Sequence, residues 1–269
     1  MMACALLTAM AAASSAQQTT SALRGMEKEN DALAWQAVGR LDSEEIGFCT
    51  ATLISPEFIL TAAHCVYSGE TGEQIAPDSM TFRAGLRDGK VAAERRVVQI
   101  EAHAGYDPAD RLTAESVRYD VALLRLDKAI PTTDLDPFAV STYTMSKGQV
   151  SIVSYGFGRE TYPSRQDVCE IKAARNGLMA MDCEATFGSS GAPVFSHANG
   201  RGQIVSVVSG GGLYNGQQVV YGMVLPEIVA KLKQRMWVNK VRPVATINRV
   251  KIRNGISGDR DIGAKFVRP

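Results

Sequence analysis

The chain has 269 residues, 45% of them hydrophobic and 21% charged, enough to bury the core of one domain of about 250 residues or of two smaller ones packed together. A net charge of +1 gives no global ground for a nucleic-acid or membrane partner. The balance is uneven: from Trp237 onward eight Lys/Arg face two Asp/Glu, a net of +6, which leaves −5 for the rest.

The start, "MMACALLTAMAAASSAQQTT", is small and apolar up to Ala13. Ser14 and Ala16 are the small residues that signal-peptidase cleavage after Ala16 requires, so residues 1–16 read as an export signal. The usual positive flank is missing, since the first basic residue is Arg24. The competing reading is a short buried helix. No later segment has about 18 uninterrupted apolar residues, so no membrane span is predicted. Residues 17–33 are polar and helix-tolerant, as a leader or short propeptide would be.

From Trp35 the texture changes to short β-rich runs: "WQAVGRL", "FCTATLI", "FILTAAHCV", "MTFRAG", "RRVVQIEA", "DVALLRL", "QVSIVSYGFG", "APVF", "QIVSVVSGG" and "QVVYGMVL". Gly, Pro, Asn and Asp punctuate them. Strands at this spacing, without amphipathic helices between them, predict an all-β sandwich or a pair of barrels. "KAIPTTDLDPF", around residues 128–138, reads as a linker between two β units. One helix is predicted, "LPEIVAKLKQRMW", with Ile228, Val229, Leu232 and Met236 on one face and Pro226 in its first turn. Beyond it the basic tail, residues 237–269, holds one candidate edge strand, "NRVKIRNG". A basic tail can bind polyanions, but a solvated tail is the commoner case.

Five cysteines become four once residues 1–16 are removed: Cys49, Cys65, Cys169 and Cys183. An even number in an exported chain predicts two disulfides, with three connectivities possible. Pairing neighbours is simplest, Cys49–Cys65 and Cys169–Cys183, each closing a loop of about 15 residues and worth roughly 3 kcal/mol. A metal site built from these cysteines and His64 has no supporting ligand spacing. Neither a metal nor a cofactor is expected.

Three segments carry chemistry together: "FILTAAHCV" with His64, "YDVALLRL" opening on Asp120, and "GSSGAPVF" with Ser189 and Ser190. Each alone is ordinary. A lone His is more often a satisfied polar residue than a catalyst. An Asp before a strand is commonly a turn residue, and Gly-Ser-Ser-Gly is linker composition. In combination they resemble the chymotrypsin-like (trypsin-like) serine peptidases, whose motifs T-A-A-H-C, D-[IV]-A-L-[LI]-x-L and G-x-S-G-x-P appear here as "TAAHC", "DVALLRL" and "GSSGAP". The order His, Asp, Ser is that clan's order and not that of α/β-hydrolases. "SYGFG" at 154–158 and "VSGG" at 208–211 match the family's glycine-bearing strands. The resemblance covers roughly residues 34–236, and the serine motif with paired cysteines looks most like bacterial members related to glutamyl endopeptidases.

The resemblance implies two packed antiparallel six-stranded β-barrels with a C-terminal helix and the active site between them. Residues 34–130 would form the first barrel, and residues 131–236 the second barrel with the helix. It implies an exported serine endopeptidase, secreted or periplasmic, acting as a monomer on proteins or peptides, without nucleic acid. Ser190 would be the nucleophile, His64 the general base and acid, and Asp120 the residue orienting His64. The backbone N–H groups of Gly188 and Ser190 would form the oxyanion hole.

The sequence also departs from the family. Most animal members have Asp before the nucleophile, which pairs with a freshly cut N-terminus; here Ser189 cannot form that ion pair. Glu184, six residues before Ser190, stands where trypsin-like members select basic residues, and pocket acid and exposed side chain are equally weighted readings of it. Val208 stands where glutamyl endopeptidases have a pocket histidine, which argues against Glu specificity. Ser209, Gly210 and Gly211 resemble the substrate-pairing strand. His103 and His197 are given no role. The rival from another class is a catalytically silent peptide- or polymer-binding protein on the same fold, and esterase activity is a third reading.

Overall fold

The computed structural model describes residues 20–239, except 111, 112 and 199. The signal-like start, residues 17–19 of the leader and the tail beyond Asn239, with its candidate strand, lie outside the described residues. Residues 20–33 do not hang free. Strand β1 (Arg24–Gly25) pairs antiparallel with Arg165 and Ser164, and the Met26 N–H bonds the Pro163 carbonyl at 2.8 Å. The one-turn helix α1 (Glu29–Ala32) follows, with Ala32 buried.

Six antiparallel strands then close a barrel: β2 (Val38–Ser43), β3 (Gly47–Ser55), β4 (Phe58–Thr61), β5 (Thr81–Ala84), β6 (Ala93–Ala102) and β7 (Ala122–Leu126), in the order β2-β3-β4-β7-β6-β5. Its interior is aliphatic, with Leu41, Leu53, Ile59, Leu60, Leu123 and Leu124 fully buried. Gly39 on β2 lets the wall close, because a Cβ there would lie 2.5 Å from both the Arg83 carbonyl oxygen and the Phe82 ring. A short helix that the sequence pattern did not predict, α2 (Ala114–Tyr119), precedes β7. It is too short for periodicity to reveal, but its start is chemically marked. Thr113 and Ser116 exchange hydrogen bonds as a capping box, with Ser116 N–H to Thr113 Oγ1 at 3.1 Å and Thr113 N–H to Ser116 Oγ at 2.8 Å.

The second barrel comprises β8 (Gly148–Gly156), β9 (Arg159–Arg175), β10 (Leu178–Met181), β11 (Pro193–Ser196), β12 (Gln203–Tyr214) and β13 (Gln217–Met223). It runs β9-β10-β13-β12-β11-β8 and closes through the β8–β9 pairing, with β1 added outside on β9. This is the two-barrel architecture that the family resemblance implies. The linker is not loose: Ile130 and Phe138 donate backbone bonds to Pro56 and Leu53, and both side chains are buried. Phe138 stacks on Trp35 at 5.6 Å, and Phe195 of β11 meets Trp35 at 5.2 Å, so aromatic rings fill the seam between the halves.

The predicted helix is present as α3 (Pro226–Val238), with Val229, Leu232 and Met236 buried. It follows the second barrel in sequence but packs on β6 and β7 of the first. Two buried polar residues of β6 fix its end. Gln99 Nε2 donates to the carbonyls of Met236 and Asn239, each at 3.2 Å, capping orphan C-terminal acceptors. Glu101 accepts from Asn239 Nδ2 at 2.8 Å and faces Arg235 Nε at 3.4 Å. No helix among the described residues is long and apolar enough to cross a membrane.

Candidate active site

The first barrel presents His64 and Asp120. The chain leaves β4 at Thr61 and turns through a single 3₁₀ turn, Ala63–Val66, which carries His64 at the seam. Cys65, beside it, is bonded to Cys49 of β3, with sulfurs 2.05 Å apart and Cα atoms 6.2 Å apart. Asp120 is delivered by the C-terminus of α2, where the chain leaves helical geometry before β7.

Asp120 is 3% exposed, and a charge so buried needs partners. It makes three hydrogen bonds. Oδ1 accepts the His64 backbone N–H at 2.8 Å. Oδ2 lies 2.7 Å from His64 Nδ1 and accepts the Ser209 hydroxyl at 2.5 Å. Two bonds to one residue fix both the position and the tilt of the imidazole. They also make Nδ1 the proton-bearing nitrogen, since the carboxylate can only accept, and leave Nε2 free as a base. Burial disfavours the His64 imidazolium, but the charge of Asp120 and its hydrogen bond outweigh that, and the pKa is raised above the ordinary 6.5.

The second barrel presents Ser190 on a turn of backbone rather than on a regular element. Gly188 and Gly191 flank Ser189–Ser190 with φ of +89° and +78°. Neither could carry a side chain: a Cβ on Gly188 would lie 2.2 Å from the Phe48 ring, and one on Gly191 2.1 Å from Thr61 Oγ1. The turn is pinned from both halves. Gly191 N–H bonds the Val208 carbonyl of β12 at 2.8 Å, and Ser189 N–H bonds the Thr186 carbonyl at 2.9 Å. From the first barrel, Thr50 donates its N–H to the Ser190 carbonyl and its hydroxyl to the Gly188 carbonyl, both at 2.8 Å. The same hydroxyl accepts the Tyr155 N–H at 3.0 Å. Among the described residues the N–H groups of Gly188 and Ser190 have no acceptor within the protein, whereas those of Ser189 and Gly191 are both bonded.

His64, Asp120, Ser190 and Ser209 line one cavity of about 660 Å³, with Ala185, Thr186, Val208, Gly210 and Gly211 along one side. A second cavity of about 490 Å³ shares His64 and Ser190 and extends past Phe48, Tyr67 and Gly188. The two form one cleft with the serine and histidine at its middle.

The model of the Trypsin family matches residues 23–233. The chain belongs to the trypsin family. It is 30% identical over 112 residues to "Serine protease SP24D" of Anopheles gambiae, a stretch covering 41% of this chain and 37% of that one. It is 33% identical over 118 residues to "CLIP domain-containing serine protease HP8" of Bombyx mori, covering 39% of this chain and 30% of that one. The matched stretch thus spans well under half the length of these curated relatives. Among solved structures, "Structure of Glu endopeptidase in complex with MPD" superposes with a TM-score of 0.65 at 18% identity, over 79% of this chain and 96% of that one. That likeness is one of fold.

In this trypsin-family chain the residues singled out from the sequence fall into three groups. His64, Asp120 and Ser190 meet at the cleft, with Gly188 beside them and Gly210 and Gly211 in its wall. Ser209, expected only in the substrate strand, also holds Asp120. Glu184 is exposed and is not a wall residue of either cavity; its N–H is held by Gln166 Oε1 at 2.7 Å. Cys169 and Cys183 are bonded, joining β9 to the segment that leads into the nucleophile turn. His103 stacks on Tyr119 at 4.6 Å, and His197 bonds Ser151 at 2.7 Å, both outside the cleft lining. Thr50 escaped the sequence reading altogether, because its importance lies in partners more than 100 residues away.

Proposed function

We propose that this chain is an exported serine endopeptidase that cleaves peptide bonds through an acyl-enzyme on Ser190. The observation that carries the proposal is the buried Asp120 carboxylate, bonded to both the ring and the backbone of His64, in the cleft that also holds Ser190. A serine hydroxyl is a weak nucleophile until a base removes its proton. His64 Nε2 takes that proton as Ser190 Oγ attacks the carbonyl carbon, and Asp120 stabilises the imidazolium that results. The unpaired N–H groups of Gly188 and Ser190 are the donors for the oxyanion of the tetrahedral intermediate. His64 then returns the proton to the leaving amine, and water repeats the sequence in reverse to free the enzyme.

The side of the cleft formed by Ala185, Val208, Gly210 and Gly211 suits a small or medium uncharged residue before the cut. Among the described residues Asp110 and Asp120 are the carboxylates lining that cavity and no Lys or Arg joins them, which disfavours an acidic side chain there. Two disulfides and the signal-like start support an oxidising, extracytoplasmic site of action.

The test is covalent. A fluorophosphonate should label the wild type, and Ser190→Ala should abolish both labelling and peptide hydrolysis. Undiminished hydrolysis in Ser190→Ala would refute the mechanism, and a wild type that neither labels nor cleaves would favour a silent binding protein. A peptide library then reads the residue preference.

A further inference from the structure

The nucleophile turn rests on a cation. Arg159 begins β9, just after the Phe157-Gly158 turn that follows β8. Its guanidinium reaches back beneath the turn. Nη1 donates to the Ser154 carbonyl at 2.5 Å. Nη2 donates to Ser154 Oγ at 3.0 Å and to Ser189 Oγ at 2.9 Å. Ser189 is fully buried, and its hydroxyl is saturated. It accepts from Arg159 and from the Thr186 N–H at 3.2 Å, and it donates to the Tyr155 carbonyl at 3.1 Å. One donor and two acceptors are all that a hydroxyl offers.

The backbone makes room for this contact. A Cβ on Gly156 would lie 2.6 Å from Arg159 Nη2 and 2.5 Å from Thr186 Oγ1. Glycine at 156 is therefore what lets the guanidinium pass between β8 and the turn. Among the described residues Arg159 has no carboxylate within 4.0 Å, so no ion pair accounts for its place. Burial lowers its pKa to about 10, and it stays charged at neutral pH.

We infer that Arg159 is a positioning residue for the oxyanion donors: by gripping Ser189 Oγ it fixes the residue between them, which the next peptide unit ties to the Ser190 N–H and the Gly188 backbone ties to the Gly188 N–H. This rests on the peptidase reading above. It adds a regulatory consequence. The cation under the turn comes from residue 159 of the same chain, so the turn is supported before any peptide bond near the start is cut. A guanidinium bonded to a neutral hydroxyl replaces an ion pair that would need a new terminus.

The test compares Arg159→Met, Arg159→Lys, Ser189→Ala and Ser190→Ala on the full chain, reading kcat, KM, Tm and hydrogen exchange of the segment 186–192. Arg159→Met should lower kcat on the order of 100-fold, since misplacing a reacting group by about 1 Å has that effect. KM and Tm should change little. Added guanidinium ion should restore part of the rate in Arg159→Met but not in Ser189→Ala. Exchange in 186–192 should rise in Arg159→Met and Ser189→Ala while the barrels stay protected. Unchanged kcat and exchange in Arg159→Met would overturn the inference. So would a loss of rate that merely tracks a lower Tm and is not rescued by guanidinium. If Ser190→Ala shows that hydrolysis never depended on Ser190, the peptidase reading fails, and segmental exchange alone decides whether Arg159 holds the turn.

Discussion

The two halves of the cleft are built by different means. On the first barrel, the proposed chemistry rests on side chains: an imidazole and a buried carboxylate that makes three hydrogen bonds. On the second, apart from the Ser190 hydroxyl, the proposed chemistry rests on backbone: a turn with two glycines at positive φ, N–H groups of Gly188 and Ser190 without an acceptor among the described residues, and carbonyls pulled aside by Thr50. The first half fails when a functional group is changed. Beyond Ser190, the second is expected to fail when a shape is changed, even by a methyl group that carries no chemistry.

That contrast can be broken in graded steps. Asp120→Asn should leave the fold intact and lower kcat on the order of 10,000-fold, because an amide donor at that place enforces the wrong imidazole tautomer. A steady-state assay with a thermal melt separates the two effects. Gly191→Ala should do the reverse, lowering stability by about 3 kcal/mol or more, through left-handed backbone strain and a Cβ 2.1 Å from Thr61 Oγ1. Denaturant unfolding measures that cost. Thr50→Val leaves the Gly188 carbonyl and the Tyr155 N–H without their partner, about 1–3 kcal/mol each, and should reduce kcat some 10- to 100-fold. Thr50→Ser should recover most of the loss; if it does not, packing and not the hydroxyl is what matters.

Ser209→Ala removes one of three bonds to Asp120 and should cost roughly 10-fold in kcat/KM, the value of one charge-assisted hydrogen bond. The smallest effect sharpens the first half alone. Because the His64 pKa is raised, the acid limb of kcat/KM should lie above pH 6.5, with activity appearing as His64 loses its proton. The stability contribution runs the other way. A histidine that binds its proton more tightly in the folded state stabilises fully below its unfolded pKa, and that contribution is lost as pH rises through the folded value. An acid limb at or below 6.5 would mean that Asp120 does not hold His64 as described.

The same contrast explains what could be read before the structure. His64, Asp120 and Ser190 stand in short motifs that carry the family resemblance; the strand-and-turn texture from Trp35 onward is enough to predict an all-β sandwich or a pair of barrels, and the resemblance selects the barrels. The neighbouring cysteines pair as the shortest loops suggest. What escaped depends on partners distant in sequence. Nothing in "FCTATLI" shows that Thr50 reaches Gly188, and nothing in "SYGFGRE" shows that Arg159 turns back under Ser189. Ser209 was visible as a strand residue, but its bond to Asp120 spans 89 positions. Helix α2 is only 6 residues long and leaves no periodicity, although Thr113 and Ser116 mark where it starts. Counting from Ser190 singles out Glu184 but carries no information on its exposure, which the fold alone shows.

One feature of the packing reaches beyond the cleft. Helix α3 belongs to the second half by sequence and to the first by contact, with Gln99 and Glu101 gripping its end. The chain thus straps itself together, and the halves cannot part while that strap is fastened. A protease nick in the connector between them, around residues 139–147, should leave a single species on a native gel and two fragments after denaturation. Separation without denaturant would mean that the strap carries no weight.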